Sequence, residues 1–204
     1  MTTKKKVAVI GAGVSGLVTA KTFKEKGHDV TIIERSHDLG GVWELSRSYP
    51  DVQTQSPKDL YRYTDKPMQV HAYLDSYAAD YNLRDHIRFN TSVSEMTRRA
   101  DGQKGWTLHL VDQAGKESTE DFDFVSVCTG QFSEKNILTH PGQEAFEAQG
   151  GQVMHSSEYT DPSIVEGKNV TVLGFSKSAT DIAVNAVKSG AKSVTIVYLQ
   201  SVWG

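Results

Sequence analysis

Cysteine is nearly absent from this sequence: Cys128 is the only one in 204 residues. A lone thiol excludes an internal disulfide framework and a cysteine-cluster zinc site. A reducing, cytoplasmic setting is the expectation that goes with it. An excess of one charge is also lacking. Lys and Arg number 22, Asp and Glu 25, for a formal net charge of −3, so the chain carries no electrostatic footprint for nucleic acid. The one run of like charge, Lys4-Lys5-Lys6, reads as a solvated tail ahead of the first strand. No apolar stretch approaches the roughly 18 residues of a membrane-spanning helix. The apolar run Val7 to Ile10 meets glycine too soon to be a signal peptide, and no membrane partner is expected. His, Asp and Glu nowhere cluster at metal-ligand spacing, so no metal is expected, and no Ser/His/Asp triad stands out. With 38% hydrophobic and 23% charged residues the composition is that of a folded chain. At roughly 150 residues per domain the length predicts between one and two domains.

What is present is concentrated at the start. Val7-Ala8-Val9-Ile10 is a short apolar run of the kind a buried parallel strand needs. It enters Gly11-Ala12-Gly13-Val14-Ser15-Gly16. Leu17, Val18, Ala20 and Phe23 then mark an amphipathic helix that Gly27 ends. Val30 to Ile33 is a second strand, with Glu34 at its C-terminal end. Strand, glycine turn, helix, strand and acid make a complete βαβ dinucleotide fingerprint. Gly11 allows the tight turn, Gly13 lets a pyrophosphate approach the backbone, and Gly16 lets the helix pack on the strand. The helix N-terminus, with Val14 and Ser15, offers N–H groups and a positive dipole end to the phosphates. Glu34, followed by Arg35, is placed to accept hydrogen bonds from the adenosine ribose. Its charge repels a 2′-phosphate, which favours FAD or NAD over NADP.

Gly40 to Pro67 reads as a long loop region with one short helix, and loops of this length are usually functional. His71 to Tyr81 is predicted helical, with Tyr73, Leu74, Tyr77 and Ala78 on one face. Ile87 to Phe89 is a predicted strand. Ser92 to Met96, Gly105 to Val111 and Lys116 to Asp121 form an antiparallel meander that turns at Asp101-Gly102 and Ala114-Gly115. Phe122 to Cys128 is a further buried strand closing at Thr129-Gly130. A second βαβ unit begins near Asn169: the strand Val170 to Leu173, the turn Gly174 to Ala179, a helix from Thr180 to Lys188 and the strand Ser193 to Tyr198. The chain thus repeats itself internally, and Tyr198 stands where Glu34 stands in the first unit. The expected fold class is α/β. It comprises a Rossmann-like FAD-binding domain over residues 1–140 with a small antiparallel meander at about 92–121, a linker over 141–168, and a partial second Rossmann-like unit over 169–204. One βαβ unit cannot cover both faces of its own sheet. An exposed edge, and with it an oligomer or a complementing chain, is therefore expected.

Gly11 to Gly16, Glu34, Gly40-Gly41-Val42-Trp43, Ser56-Pro57-Lys58, Cys128-Thr129-Gly130 and His155-Ser156-Ser157-Glu158-Tyr159 together resemble the flavin-containing monooxygenases. These are FAD- and NADPH-dependent enzymes of the dimethylaniline monooxygenase type, and order and spacing match along nearly the whole chain. The resemblance implies that the first motif holds FAD, that Gly41, Val42 and Trp43 lie along the flavin with Thr129 and Gly130 in the same site, and that Gly174, Ser176, Ser178 and Ala179 hold NADPH. The family signature Phe-x-Gly-x-x-x-His-x-x-x-Tyr/Phe reads here with Gly151, His155 and Tyr159 in place and Gln149 for the phenylalanine; the implied role of His155 is structural. Tyr159-Thr160-Asp161 favours this family over the similar Baeyer–Villiger enzymes. Gln55 stands where relatives commonly carry Asn close to the flavin and is the candidate catalytic side chain. The implied reaction is oxygenation of a soft nucleophile, nitrogen or sulfur, of a small-molecule substrate through a C4a-hydroperoxyflavin. The cofactor carries the difficult chemistry, so no catalytic triad is required.

The second motif departs from the first. Ser176 keeps a small side chain and adds a hydroxyl for phosphate, and Ala179 still permits close helix packing. Tyr198 removes the charge that would repel a 2′-phosphate. Leu199 stands where related enzymes supply an arginine, so no bidentate phosphate partner is evident. The sequence stops just past the second strand of this unit, whereas family members continue. It is therefore expected to be the N-terminal portion of a monooxygenase. Alternatives are a catalytically impaired FAD-binding protein acting as a binding or partner subunit, and a flavoprotein completed by another chain.

Overall fold

In Lys6–Ile10 (β1) successive side chains face opposite sides of the sheet, and both sides are apolar: Val7 and Val9 join one core cluster, Ala8 and Ile10 another. A strand with two apolar faces belongs in the middle of a layered fold. The structure, a computed structural model, describes residues 3–50, 52, 70–100 and 102–199. They divide into two compact units, one formed by the described residues of Met1–Glu44 and Thr64–Ser133, the other by those of Leu45–Tyr63 and Glu134–Gly204.

The first unit runs β1, the helix Val14–Glu25 (α1), the strand Asp29–Ile33 (β2), the helix Val70–Asp80 (α2) and the short strand Ile87–Arg88 (β3). The strands Thr91–Arg98 (β4), Trp106–Asp112 (β5), Glu117–Phe122 (β6) and Phe124–Val127 (β7) follow. Among the described residues β3-β2-β1-β7 form a parallel sheet and β4-β5-β6 an antiparallel one. On one face of the parallel sheet Val7, Val9 and Ile32 meet Leu17 and Ala20 of α1 and Leu74 and Ala78 of α2. On the other, Ala8 and Ile33 meet Leu108, Leu110 and Phe122 of the meander. The chain leaves β1 for β2 on one side and returns as β7 on the other. That makes the C-terminal end of β1 the point where strand order reverses, the place where open α/β sheets bind ligands.

Three sequence expectations change here. Val18 is 44% exposed: Leu17 and Ala20, three residues apart, take the core face, and Val18 lies round the helix from them. Phe122 ends β6 and packs into the core, while β7 has one sheet neighbour among the described residues and leaves Phe124 50% and Val127 60% exposed. Among the described residues it stands at the sheet edge. Lys4 and Lys5 are exposed as expected, while Lys6 begins β1 and its ammonium lies 3.0 Å from Glu120 and 4.9 Å from the centroid of the Phe122 ring.

Glu120 also accepts from Arg88 at 2.8 Å. Burial works against its ionisation, but the hydrogen bonds from Lys6 and Arg88 outweigh it and hold the carboxyl below its ordinary 4.5. A depressed folded value stabilises the fold above the unfolded carboxyl's titration and is lost as pH falls through the folded value. Glu120→Gln is accordingly expected to lower the melting temperature at neutral pH and to flatten its fall below about pH 4.5. Thermal melts across that range check this.

The second unit contains the helix Gln143–Ala148 (α3), the strand Asn169–Leu173 (β8), the helix Lys177–Lys188 (α4) and the strand Ser193–Val197 (β9). Its β8–β9 register, Asn169↔Ser193 to Leu173↔Val197, repeats that of β1–β2, Lys6↔Asp29 to Ile10↔Ile33. α4 starts at Lys177, three residues before the expected Thr180. Both helices begin inside the motif, immediately after Gly13 and Ser176. Val170, Val172 and Val194 pack on Ile182, Ala186, Tyr159 and Val165. The opposite face carries Leu173 and Val197, 58% and 50% exposed. Residues 141–168 contribute to this core. His155 caps the short turn Ser156–Glu158: its Nδ1 accepts from the Ser157 N–H, and Glu158 accepts from the His155 N–H. A Cβ on Gly151 would lie 2.3 Å from the Phe146 ring. An aromatic side chain thus covers that glycine, supplied from three residues before Gln149.

Candidate dinucleotide-binding sites

At the C-terminal end of β1 the chain turns through Gly11 at φ +103°, and the Gly11 N–H donates to the Ile33 carbonyl at 2.8 Å. A Cβ there would lie 2.5 Å from the Cys128 carbonyl oxygen, and a Cβ on Gly16 1.8 Å from the Gly11 carbonyl oxygen. Both glycines are demanded by the protein itself. Gly13 is different. Its φ of −80° and ψ of −172° suit any residue, and a Cβ would meet nothing closer than the Gly41 Cα at 3.6 Å. The fold leaves space over Gly13 that a side chain would fill. Val14 and Ser15 are exposed at the same helix mouth, and no side chain caps the start of α1. Its first N–H groups and the positive end of its dipole are therefore aimed at that space.

Glu34 closes the turn from the other strand. Glu34 is 6% exposed, and its carboxylate accepts from the Ala12 N–H at 2.7 Å and from the Ser36 N–H at 2.8 Å. Each carboxylate oxygen has a second lone-pair direction, so the acid can brace the turn and still accept from a ribose hydroxyl. The bracing role was not legible from the fingerprint. Arg35, exposed, donates to the Ser133 carbonyl. The Gly40 N–H donates to the Ala12 carbonyl at 3.0 Å, bringing the Gly40-Gly41 loop against the first glycine turn, and Gly41 touches Gly13. Val42 is half exposed, whereas Trp43 packs against the core of this unit. Asp38, hydrogen-bonded to His71 at 3.0 Å, anchors the loop's entry to α2. Glu44, 2% exposed with His37 at 3.7 Å, ends it as a buried acid that no motif announced. Cys128 is half-buried against the same core; Thr129 and Gly130 are exposed just beyond it. Gln55 and the segment Ser56-Pro57-Lys58 lie outside the described residues.

The second turn has the same geometry. Gly174 has φ +119°, and its N–H donates to the Val197 carbonyl at 2.8 Å. Ser176 occupies the position of Gly13, exposed and making no side-chain cap to α4. Ala179 is buried where Gly16 is buried. Lys177 opens the helix and pairs with Asp181 one turn on, a spacing that could have been read from the sequence. Asp181 also accepts from the Tyr49 hydroxyl at 2.9 Å. Burial, then the bond to Asp181, pushes that hydroxyl up to about 12, so it remains a donor at neutral pH. Tyr198 departs most from its counterpart. Where Glu34 binds Ala12, Tyr198 stacks on Phe175, with ring centroids 4.6 Å apart and planes 26° from parallel.

Comparison with known proteins places this geometry among flavin enzymes. The flavin-binding monooxygenase-like family matches residues 4–203. Flavin-containing monooxygenase 1 of Rattus norvegicus is 38% identical over an alignment 207 positions long that covers 89% of this chain and 38% of that protein. The structure of S-allyl-L-cysteine S-oxygenase from Allium sativum superposes with a TM-score of 0.77 at 25% identity, over 99% of this chain and 53% of the other. OTEMO in complex with FAD and NADP superposes with a TM-score of 0.81 at 24% identity, over 97% of this chain and 39% of the other. The chain therefore spans about 38% of the length of the rat enzyme. No helix among the described residues is long and apolar enough to cross a membrane.

Proposed function

Because the chain belongs to the flavin-binding monooxygenase-like family, we propose that it supplies the FAD site and the start of the nicotinamide nucleotide site of a monooxygenase that oxygenates nitrogen or sulfur in a small molecule. The observation that carries the reading is Gly13. Nothing among the described residues needs a glycine there, so the missing side chain is best explained by a ligand that must come within contact of the backbone. Gly11, Gly16 and the mouth of α1 shape that space, Val14 and Ser15 lend their N–H groups to the pyrophosphate, and Glu34 takes the ribose. Gly41, Val42, Trp43, Thr129 and Gly130 border the same turn, with Arg35 fixing the strand end beside it. In the second unit Gly174, Ser176, Ser178 and Ala179 would hold the nicotinamide nucleotide. When bound, FAD supplies electron transfer from the reduced nucleotide and activation of dioxygen. The protein's part is to hold, orient and exclude water. The sulfur arm of the proposal is supported by the S-oxygenase neighbour.

Oxygen transfer tests it. With FAD and NADPH, the purified protein should oxidise NADPH and convert a tertiary amine or thioether to its N- or S-oxide, detected by mass spectrometry. A protein that holds FAD yet neither oxidises NADPH nor forms an oxide contradicts the proposed reaction.

A further inference from the structure

The two βαβ units form an internal control. Their strands share one register, their helices start at the same point, and the N–H of Gly11 and of Gly174 each reach the end of the second strand at 2.8 Å. The chemistry at that strand end is what differs. In dinucleotide sites of this architecture an acid there accepts from the ribose 2′-hydroxyl of NAD, and a guanidinium nearby accommodates the 2′-phosphate of NADP. The first unit has its acid, Glu34. At the end of β9 stands Tyr198, half exposed and stacked on Phe175, and then Leu199, fully exposed. Neither residue brings a carboxylate or a guanidinium to the strand end. The cation closest in sequence to the turn, Lys177, is paired with Asp181, which Tyr49 also engages. Lys168 and Lys192 lie at the opposite ends of β8 and β9, before the strands begin.

From this strand end we infer that the second unit does not discriminate between NADPH and NADH. The inference rests on the reading of that unit as a nicotinamide nucleotide site. What the two nucleotides share, the pyrophosphate, faces the start of α4, Ser176 and the backbone of the turn. What distinguishes them, the 2′-phosphate, meets among the described residues an aromatic pair that neither repels it, as a carboxylate would, nor binds it, as a guanidinium would. A phosphate left in water at an exposed strand end gains little and costs little.

Binding of the two nucleotides to the purified, FAD-loaded protein decides the matter. Isothermal titration with NADPH and with NADH should return dissociation constants within about fivefold of one another, a difference of about 1 kcal/mol. Tyr198→Glu should shift the ratio by at least tenfold toward NADH, and Leu199→Arg toward NADPH, with FAD absorbance unchanged in both. A preference of more than about fivefold in either direction by the unsubstituted protein overturns the inference while leaving the nucleotide site standing. Absence of binding by both nucleotides overturns the inference and the reading of the second unit together.

Discussion

Gly16→Ala is expected to yield a chain that neither folds stably nor takes up FAD, whereas Gly13→Ala yields a folded chain that has lost its hold on FAD. The fingerprint gives these glycines different jobs, and the structure shows how different the space at each one is. A methyl on Gly16 would sit 1.8 Å from the Gly11 carbonyl oxygen in a fully packed contact between α1 and the turn. Backbone cannot yield there without moving the helix off the sheet. The cost exceeds the roughly 1–3 kcal/mol of ordinary overpacking, against a total stability of about 5–15 kcal/mol. A methyl on Gly13 meets only the Gly41 Cα at 3.6 Å, an ordinary contact, at backbone angles alanine adopts freely. What it would fill is the space assigned to the pyrophosphate. FAD affinity should therefore fall by at least about tenfold, or about 1.4 kcal/mol, with the melting temperature of the FAD-free protein nearly unchanged. Urea unfolding and flavin titration of the two variants separate the effects. Gly13→Ala with undiminished FAD affinity would mean that the flavin does not lie on this turn.

Glu34→Ala should cost both stability and cofactor. The residue is 6% exposed, and its carboxylate satisfies two backbone donors, the Ala12 and Ser36 N–H groups. Removing it leaves the buried Ala12 donor without its partner, at about 1–3 kcal/mol, and the part-buried Ser36 donor at less. Because one of them belongs to the glycine turn, the loss also unfastens the phosphate-binding backbone. Glu34→Gln keeps one acceptor and turns an amide N–H₂ toward the other donor, so it should be intermediate in stability and still impaired in FAD uptake. If Glu34→Ala lowered FAD affinity without lowering stability, the acid would be a ribose ligand alone and not a brace.

The local pattern of the chain carried much of this architecture. Val7 to Ile10, the glycine turn, Leu17 and Ala20, and Glu34 specified one compact βαβ unit because each obeys a short-range rule. The meander was legible from alternating residues and the Ala114-Gly115 turn. Other features depend on partners distant in sequence. The exposure of β7 follows from its place at the edge of the sheet among the described residues, which sequence alone does not give. Tyr49 joins the second unit through Asp181, 132 residues away, and Phe175 meets Tyr198 across a whole helix. The fingerprint assigns Gly13 to a ligand and Gly16 to helix packing; what a Cβ at each would touch, 3.6 Å from the Gly41 Cα against 1.8 Å from the Gly11 carbonyl oxygen, comes from the packed structure.

The most direct test of the central claim is the visible absorption spectrum of the purified chain, recorded before any cofactor is added and again after incubation with FAD. The expected result is a flavin spectrum, present on isolation or acquired with added FAD, that survives removal of unbound cofactor and is lost in Gly13→Ala. A folded, colourless chain that refuses added FAD would contradict the assignment of the first turn as a flavin site.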